Sequence, residues 1–396
     1  MVFDDLTVRA APEVPALTLP NADDPAVITD GAIPGDHWRF AVLSDTQFTA
    51  DAPNGPLVAQ ARRSLREVLA SDPEFIVING DFVDRGFARD IELAKRIIDE
   101  EVGGRVPVHF VPGNHEAAGP GNLSEWIKVF GEPTGTFDHK GTRFIQQNTY
   151  GYSLRSGGFD QVLDLKKQLA DAENDPTIRN VIVLQHHPMT DPTPTGGSAL
   201  TDPKEATLLQ DWLADFRFDS GKGAALISAG VGTFHASRTD GVLQVINGNS
   251  GKGPNGAPGD GGFTGWSLVG IDPNAAVTPL QRGQWSKNTA NQWLQVEMTP
   301  HVDSLELSVP ESLTVGETGR VTATVVQDGR RVPVDYPVAA DWTADAKVTI
   351  SGSSPRESAL ATFDPATGEF VAKRAGTVTV ALKVNGVTKQ ATITLR

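Results

Sequence analysis

Short hydrophobic runs recur along the first two thirds of the chain, and each one ends in polar residues able to do chemistry. A continuous apolar run of this kind predicts a strand buried on both faces. Ligands of open α/β sheets bind beyond the carboxyl ends of the strands, so these runs predict a functional site there, although an ordinary polar loop is the alternative for any single run. The runs at 40–43, 75–78, 106–111 and 181–184 lead into Asp45 and Gln47, into Asp81 and Asp84, into Asn114 and His115, and into His186 and His187.

Apolar residues at helical spacing follow these strands and predict helices between them. The clearest face carries Val58, Ala61, Leu65 and Val68. Alternation of strand and helix implies crossover connections, and therefore a sheet that is at least partly parallel. Further predicted elements are a helix carrying Ile91, Ala94, Ile97 and Ile98, helices near 123–130, 161–172 and 203–218, a hairpin at 142–154, and strands at 224–228, 242–246, 265–271 and 292–298.

The two ends of the chain differ from this middle part. Residues 1–36 are rich in Pro, Asp and Ala and indicate an extended arm or linker, with a weak similarity of residues 1–8 to the last strand of a β-sandwich. From about residue 303, short alternating runs between Gly, Pro, Asp and Asn predict an all-β sandwich. It resembles bacterial immunoglobulin-like modules and is expected to act as a spacer or stabilising unit, with an adhesive role left open. The predicted boundaries are 1–36 for the arm, 37–300 for an α/β domain and 301–396 for the sandwich.

Charge and composition exclude several functions. The chain has 34 basic and 49 acidic residues and a formal charge of −15. A general nucleic-acid or anionic-membrane surface needs a basic field, so neither partner is expected. A local phosphate site remains open, because bound cations reverse the local sign. The sequence has no cysteine, which excludes disulfides, thiolate zinc sites and a cysteine nucleophile. No apolar run reaches the length of a membrane span, and the N-terminus lacks a signal-peptide pattern.

A glycine-dense loop at 248–262 has two interpretations. The simpler one is a flexible surface loop. The functional one is a rim over the substrate, with Lys252 or Asn249 facing an anion. The loop has no Walker spacing, so a P-loop is not predicted.

Taken together, the polar motifs resemble those of the calcineurin-like metallophosphoesterases over residues 37–300. The most specific pair is Gly80-Asp81-x-x-Asp84-Arg85-Gly86 followed by Gly113-Asn114-His115-Glu116. The resemblance implies a four-layer α/β fold, a β-sandwich flanked by helices, with mixed rather than parallel sheets. It also implies two divalent metal ions (Mn, Fe, Zn or Mg) and hydrolysis of a phosphate mono- or diester by a metal-bound hydroxide.

The family motifs also imply roles for single residues. Asp81 is expected to bridge both metals. Asp45, Gln47 and His235 would complete the first site, and Asn114 and His186 would belong to the second. His187 is the alternative to His186 as ligand.

His115 is expected to act as general acid without binding metal. Asp84 would hold its ring in the correct tautomer, and Arg85 would contact the phosphoryl group. The simpler alternative is that Asp84 and Arg85 pair with each other at the rim.

Two departures from the family pattern concern the metal ligands. Gln47 stands where the family usually has His, and Thr233 replaces the first His of a Gly-His-x-His motif that ends here at His235. An alternative alignment places Gly230-Val231-Gly232-Thr233 on that motif and loses both histidines. Either alignment predicts a weaker second metal site.

Three functions are compatible with these observations. The leading one is a secreted or cell-surface metallophosphoesterase acting on a small phosphorylated substrate. The alternative is a degenerate, non-catalytic relative that binds a phosphorylated or glycan ligand. The third is a structural surface protein whose sandwich contacts cell-wall or glycan material. An oriented His115 favours the enzyme, because a pure binding protein has no use for an oriented acid.

Overall fold

The computed structural model describes residues 24–275, 293–354 and 357–396, and its first part is built on two mixed β-sheets. The five-stranded sheet has the order β11-β10-β1-β2-β3 and the six-stranded sheet the order β4-β5-β6-β7-β9-β8. The strands are β1 (Trp38–Leu43), β2 (Ile76–Asn79), β3 (Val108–Val111), β4 (Gly135–His139), β5 (Thr142–Gln146), β6 (Asn180–Leu184), β7 (Gly223–Ser228), β8 (His235–Thr239), β9 (Val242–Ile246), β10 (Gly265–Ile271) and β11 (Leu294–Pro300).

Both sheets contain the parallel pairs that the alternating pattern predicted. In the first sheet β1, β2 and β3 run parallel, whereas β10 and β11 are antiparallel additions. In the second sheet β5, β6, β7 and β9 run parallel, with β4 and β8 antiparallel at the edges. The carboxyl ends of the parallel strands therefore collect at one edge of each sheet.

Helices cover the outer faces of the two sheets and give four layers. The apolar faces of α1, α2 and α3 pack on the first sheet, and those of α4 and α5 pack on the second. Between the sheets, the rings of Phe40 and Phe75 are stacked and both meet the edge of Phe144 from the opposite sheet. This is the α/β fold that the resemblance implied. The helices are α1 (Pro56–Ala70), α2 (Ala88–Glu101), α3 (Ser124–Phe130), α4 (Phe159–Asn174) and α5 (Pro203–Ser220).

The hairpin lies earlier in the chain than predicted. It is formed by β4 and β5, with His139 paired to Thr142, whereas the predicted span of 142–154 contains β5 and then a loop. In β4 only Phe137 is a large apolar residue, and the strand is largely exposed. An exposed edge strand shows no alternating pattern, which explains the error.

The remaining strands form the C-terminal β-region, arranged in three small sheets. It is β-rich as expected, and its assignment to the immunoglobulin-like class stays a prediction. It joins the first part of the molecule where Val338 bridges to Met298 of β11. Its strands are β12 (Ser304–Ser308), β13 (Ser312–Leu313), β14 (Thr318–Arg320), β15 (Thr322–Gln327), β16 (Arg330–Pro333), β17 (Asp341–Ala344), β18 (Val348–Ile350), β19 (Ala361–Asp364), β20 (Glu369–Ala372), β21 (Gly376–Val384) and β22 (Val387–Leu395).

The described part of the predicted arm lies against the first sheet. Val27 bridges to Val296 of β11, and Asp24 forms a buried ion pair with Arg238. Residues 24–36 are thus packed rather than free, whereas residues 1–23 of the predicted arm lie outside the described residues. Among the described residues, no helix combines the length and apolar character needed to cross a membrane.

Candidate metal centre

The loops that follow β1 and β2 hold their polar residues in an unusual backbone conformation. Asp45, Gln47 and Asp81 have φ angles of 51°, 47° and 54°, in the left-handed region that only glycine adopts without strain. Each costs roughly 1 kcal/mol or more, so the surrounding contacts must hold them there. Residues held in such conformations cluster at functional sites, which makes this edge the first candidate.

Three buried side chains from these loops and from the end of β6 converge here. One ligand atom each from Asp45, Asp81 and His186 lies within 4.8 Å of the others. The Nδ1 of His186 donates to the carbonyl of Asn79 at 2.8 Å, which fixes the tautomer and leaves Nε2 free. That Nε2 is buried, has no hydrogen-bond partner, and lies 3.3 Å from Oδ2 of Asp81 without a well-directed bond.

The pKa shifts of these three side chains indicate that the group favours a bound positive charge. Burial, together with the charge of Asp81, raises the pKa of Asp45 to about 6. Burial opposes the charged form of Asp81 too, but the nearby His186 and the contacts of His115 hold its pKa below the usual range. Burial alone would lower the pKa of His186, yet the two carboxylates raise it to about 10.

The donor set fits a divalent cation. Two carboxylates and one imidazole with an unpartnered nitrogen are ligands that first-row divalent metals and Mg²⁺ accept. A cation at this position would satisfy the lone pair of His186 and both carboxylates at once. The sequence also implied a second group of metal ligands. Among the described residues, the side chains of His, Asp and Glu gather in this way only at Asp45, Asp81 and His186.

Gln47, Asn114 and His187 lie around this group. The amide of Gln47 donates to Oδ2 of Asp81 at 3.1 Å. His187 instead contacts Oδ1 of Asn114 through Nε2 at 3.1 Å, and Thr149 faces its Nδ1. The structure therefore places His186, not the alternative His187, with the two aspartates, and Asn114 beside His187.

His115 is oriented by the main chain of Asp84 rather than by its carboxylate. Its Nδ1 donates to the carbonyl of Asp84 at 2.8 Å, whereas the nearest carboxylate oxygen of Asp84 is 3.4 Å away. Its backbone N–H donates to Asp81 Oδ1, and its Nε2 lies 3.8 Å from Asp81 Oδ2. The ring therefore faces the group with Nε2, as a proton donor to a bound ligand must.

Arg85 does not face the group. Its guanidinium pairs with Asp51 at 2.5 Å and lies 4.0 Å from the carboxylate of Asp84. This position agrees better with the alternative in which Asp84 and Arg85 pair at the rim than with binding of a phosphoryl group. The pair with Asp51 is partly exposed, so its contribution to stability is small.

His235 does not join the group, in contrast to the expected role as a ligand of the first metal. It begins β8 and lines a separate cavity of about 510 Å³ beside Phe234 and Tyr336. The residue that approaches the group after β7 is Gly230, whose N–H donates to Asp45 Oδ2 at 3.2 Å. A Cβ on Gly230 would lie 2.9 Å from His186 Nε2. This geometry favours the alternative alignment, in which Val231 and Thr233 occupy the histidine positions.

Glu116 has a role that the sequence interpretation did not assign. Its buried carboxylate accepts four backbone N–H groups, from Asp81, Phe82, Val83 and Gly113. It thus ties the loop after β2 to the loop after β3. The signal was present, since Glu116 ends the Gly113-Asn114-His115-Glu116 motif, but the role of a buried acceptor is not visible in a motif.

Tyr152 was missed entirely. It has a φ of 59°, a genuine outlier for an aromatic residue. Its ring lies 3.9 Å from the ring of His187. Burial raises the pKa of Tyr152, with a smaller contribution from the charges of Asp81 and Asp45. Tyr152 therefore lies at the margin of the group, where a bound ligand would meet it.

The start of the glycine-rich loop is hydrogen-bonded to Ser44 and Asp45. Ser250 donates its N–H to the carbonyl of Ser44 at 2.8 Å and accepts the N–H of Ser44 on its hydroxyl at 3.1 Å. The N–H of Lys252 donates to the carbonyl of Asp45 at 3.0 Å. Residues 248–251 are buried, so the first four residues of the loop are not a flexible surface segment.

Comparison with known proteins agrees with the motifs over part of the chain. Residues 39–221 match the family model of the calcineurin-like phosphoesterases. The resemblance to that family is confirmed over this span, which includes Asp45, Asp81, His115 and His186. No curated protein matches the chain in sequence.

Solved structures similar to this chain include the following three. A dimetal phosphatase from Danio rerio is 14% identical, with a TM-score of 0.41, 59% of this chain covered and 92% of the other. The inner-membrane-complex anchor GAP50 of Plasmodium is 15% identical, with a TM-score of 0.43 and coverage of 64% and 92%. A purple acid phosphatase from yellow lupin is 10% identical, with a TM-score of 0.42 and coverage of 93% and 55%.

Proposed function

We propose that the protein is a metal-dependent phosphoesterase acting on a small phosphorylated substrate. The observation that carries the proposal is the buried group of Asp45, Asp81 and His186, with the unpartnered Nε2 of His186 directed at the carboxylates. His115 stands beside this group with its own Nε2 facing inward. A cation site next to an oriented proton donor is the minimum arrangement for phosphate ester hydrolysis.

Asp45, Asp81 and His186 would hold one cation, with Mn, Fe, Zn and Mg as the candidates, so His186 would join the first site rather than the second to which the family motifs assign it, and His235 would contribute nothing to the first. A second, weaker position would lie beside Asp81 and Asn114. A cation bound at the first position supplies Lewis-acid charge to the phosphoryl oxygens and lowers the pKa of bound water.

His115 would carry the proton to the leaving oxygen. The carbonyl of Asp84 accepts from Nδ1 and prevents the ring from turning, so Nε2 is the only nitrogen that faces a ligand. The hydrogen bond from its backbone N–H to Asp81 joins the loop after β3, which carries His115, to the loop after β2, which carries a ligand of the cation. Because Nδ1 uses its own proton in the bond to Asp84, Nε2 donates only when both ring nitrogens are protonated, and in that form His115 is a proton donor on the solvent side of the carboxylates.

A second candidate function follows from the loop after β7. The positions that would complete a second metal site are occupied by Val231 and Thr233, and the hydroxyl of Thr233 is already engaged with the carbonyl of Asn255. A protein with one complete cation position would bind a phosphorylated ligand without turning it over. A protein that only binds the ligand would not need His115 as a proton donor.

The test compares hydrolysis of aryl phosphate mono- and diesters by the wild-type protein, His115→Ala and His235→Ala, each with added Mn²⁺. The proposal predicts turnover by the wild type, a loss of about 10²–10⁴-fold in His115→Ala, and near wild-type turnover in His235→Ala. Wild-type protein that binds Mn²⁺ but hydrolyses neither ester with Mn²⁺, or with Fe²⁺, Zn²⁺ or Mg²⁺ in its place, would establish the binding function instead.

A further inference from the structure

His301 is a fully buried histidine at the junction of the α/β part and the C-terminal β-region. It follows β11 and lies outside the metal centre. Its Nδ1 lies 2.6 Å from Glu67 Oε2 on α1. Its Nε2 lies 3.1 Å from the hydroxyl of Ser64 and 3.3 Å from the carbonyl of Ser250.

The contacts of His301 lead to Asp45 in two steps. The carbonyl of Ser250 accepts from Ser64 at 2.5 Å and faces His301. Ser250 in turn exchanges two hydrogen bonds with Ser44, the residue directly before Asp45. Every group along this route is buried, so each contact is costly to lose.

In the other direction, the contacts lead into the C-terminal β-region. Asn385, in the turn between β21 and β22, donates to Glu67 Oε2 at 2.8 Å and to the carbonyl of Pro300 at 2.8 Å. Gln327 of β15 donates to the carbonyl of His301 at 2.9 Å and accepts the N–H of Thr264 at 2.7 Å. Across the junction, Gln327 thus contacts His301 itself, whereas Asn385 contacts Glu67, the partner of the His301 ring, and the carbonyl of the preceding Pro300.

Glu67 joins these contacts as an anion. Burial alone would raise the pKa of Glu67, but the contacts with His301, Arg63 and Asn385 outweigh it and lower the pKa to about 2. A buried carboxylate with this many partners fixes their positions, because each loses its partner if Glu67 moves.

We infer that His301 is a positioning residue for the metal centre, through which the docked C-terminal β-region holds the Ser250 segment in place and, with it, Asp45 in its strained backbone conformation. The inference rests on the proposed function only in taking Asp45 as a metal ligand. It assigns the β-region a part in the site, beyond the role of spacer that the sequence indicates. Residues that orient ligands without touching the metal typically alter metal affinity by about 10–100-fold.

The test uses the full chain and two measurements, Mn²⁺ affinity by calorimetric titration and hydrogen exchange of the Ser250 and Lys252 amides. His301→Ala removes the central contact, and Asn385→Gly removes a β-region contact while tolerating the φ of 44° at that position. The control is Asp30→Ala, which removes the bond between the Asp30 carboxylate and Trp342 N–H elsewhere on the same junction.

We expect His301→Ala to weaken Mn²⁺ binding at least tenfold and to accelerate exchange of both amides, with a smaller change in the same direction for Asn385→Gly. His301→Gln, which keeps a polar head toward Ser250, should recover part of the affinity. Asp30→Ala should lower the melting temperature without altering either readout. Equal Mn²⁺ affinity and equal amide exchange in His301→Ala and the control would overturn the inference. If the wild type bound no Mn²⁺, the proposed function would fail, whereas amide exchange would still decide whether His301 supports the loop.

Discussion

At the scale of single residues, two histidines are oriented in the same way, and this decides the chemistry of the site. Nδ1 of His186 donates to the backbone carbonyl of Asn79, and Nδ1 of His115 donates to the backbone carbonyl of Asp84. Their Nε2 atoms then lie 3.3 Å and 3.8 Å from Asp81 Oδ2. The difference is burial: His186 is enclosed with the carboxylates, whereas the side chain of His115 is 27% exposed. One is suited to hold a cation and the other to meet a ligand.

The raised pKa of His186 predicts that metal binding releases a proton. The folded pKa of about 10 lies above the ordinary 6.5, so the charge stabilises the metal-free protein fully below pH 6.5 and is lost as the pH rises through about 10. A cation must displace this proton, so affinity should rise about tenfold per pH unit between pH 7 and 9. Calorimetric titrations in buffers of different ionisation enthalpy should give a release near one proton per Mn²⁺. An affinity independent of pH would contradict the assignment of His186 as ligand.

Glu116→Gln should destabilise the fold more than a comparable change elsewhere. The amide nitrogen cannot accept the backbone N–H groups that the carboxylate now accepts, so at least one pair of donors is left unsatisfied at a cost of about 3 kcal/mol. The control is Glu205→Gln, because the buried Glu205 accepts a single backbone N–H, that of Leu154, and its other partners are the Ser153 hydroxyl and the half-exposed Arg155, whose loss costs less. Chemical denaturation of both variants provides the measurement, and equal losses would argue against the role of Glu116.

Sequence predicted most of the candidate residues but not their contacts. Polar residues at strand ends are visible in the chain, which is why Asp45, Asp81 and His186 were singled out. The exclusion of His235 was not visible, because it depends on the turns at Gly230 and Gly232, whose φ angles are 76° and 80°. A motif spacing cannot tell which way such a turn directs the next side chain.

At the scale of elements, the buried strands were the most predictable part of the fold. The apolar runs at 40–43 and 181–184 lie within β1 and β6, because a strand buried on both faces is apolar throughout. The edge strand β4 was missed for the opposite reason. The packing of the glycine-rich loop beside Asp45 was also unpredictable, since it rests on backbone groups and small serine hydroxyls that show no pattern in the sequence.

Gly230→Ala tests the loop after β7. The left-handed backbone alone costs about 1 kcal/mol with alanine, and the new Cβ would lie 2.9 Å from the free Nε2 of His186. Gly31→Ala is the control, because Gly31 has a φ of 90° and nothing within 4 Å of an added Cβ. Both variants should lose stability in thermal unfolding, Gly230→Ala more because of the contact with His186, but only Gly230→Ala should lose Mn²⁺ affinity. Equal affinity in the two would show that this loop does not face the cation.

At the scale of the whole molecule, one apolar core runs through the sheet interface and into the C-terminal β-region. Phe40, Val245, Met298, Val338 and Trp342 belong to the same buried cluster. Domains that share a core of this kind do not open independently. The hydrogen bonds of His301 lie at the same junction between the α/β part and the C-terminal β-region.

The shared core predicts cooperative unfolding. We expect calorimetry to give a single thermal transition in which the calorimetric and van't Hoff enthalpies agree, because exposing one part exposes core residues of the other. Two separated transitions would mean that the C-terminal β-region is only loosely docked, and would also weaken the case for His301.

The proposed function requires that Asp45, Asp81 and His186 hold a divalent cation. Its most direct test is the metal content of the full chain after incubation with Mn²⁺ and dialysis, compared between the wild type and Asp81→Asn. We predict at least about one Mn²⁺ per chain in the wild type and only traces in Asp81→Asn, because Asp81 faces both His186 and Asp45. Equal metal content in the two proteins, or none in the wild type, would contradict the account.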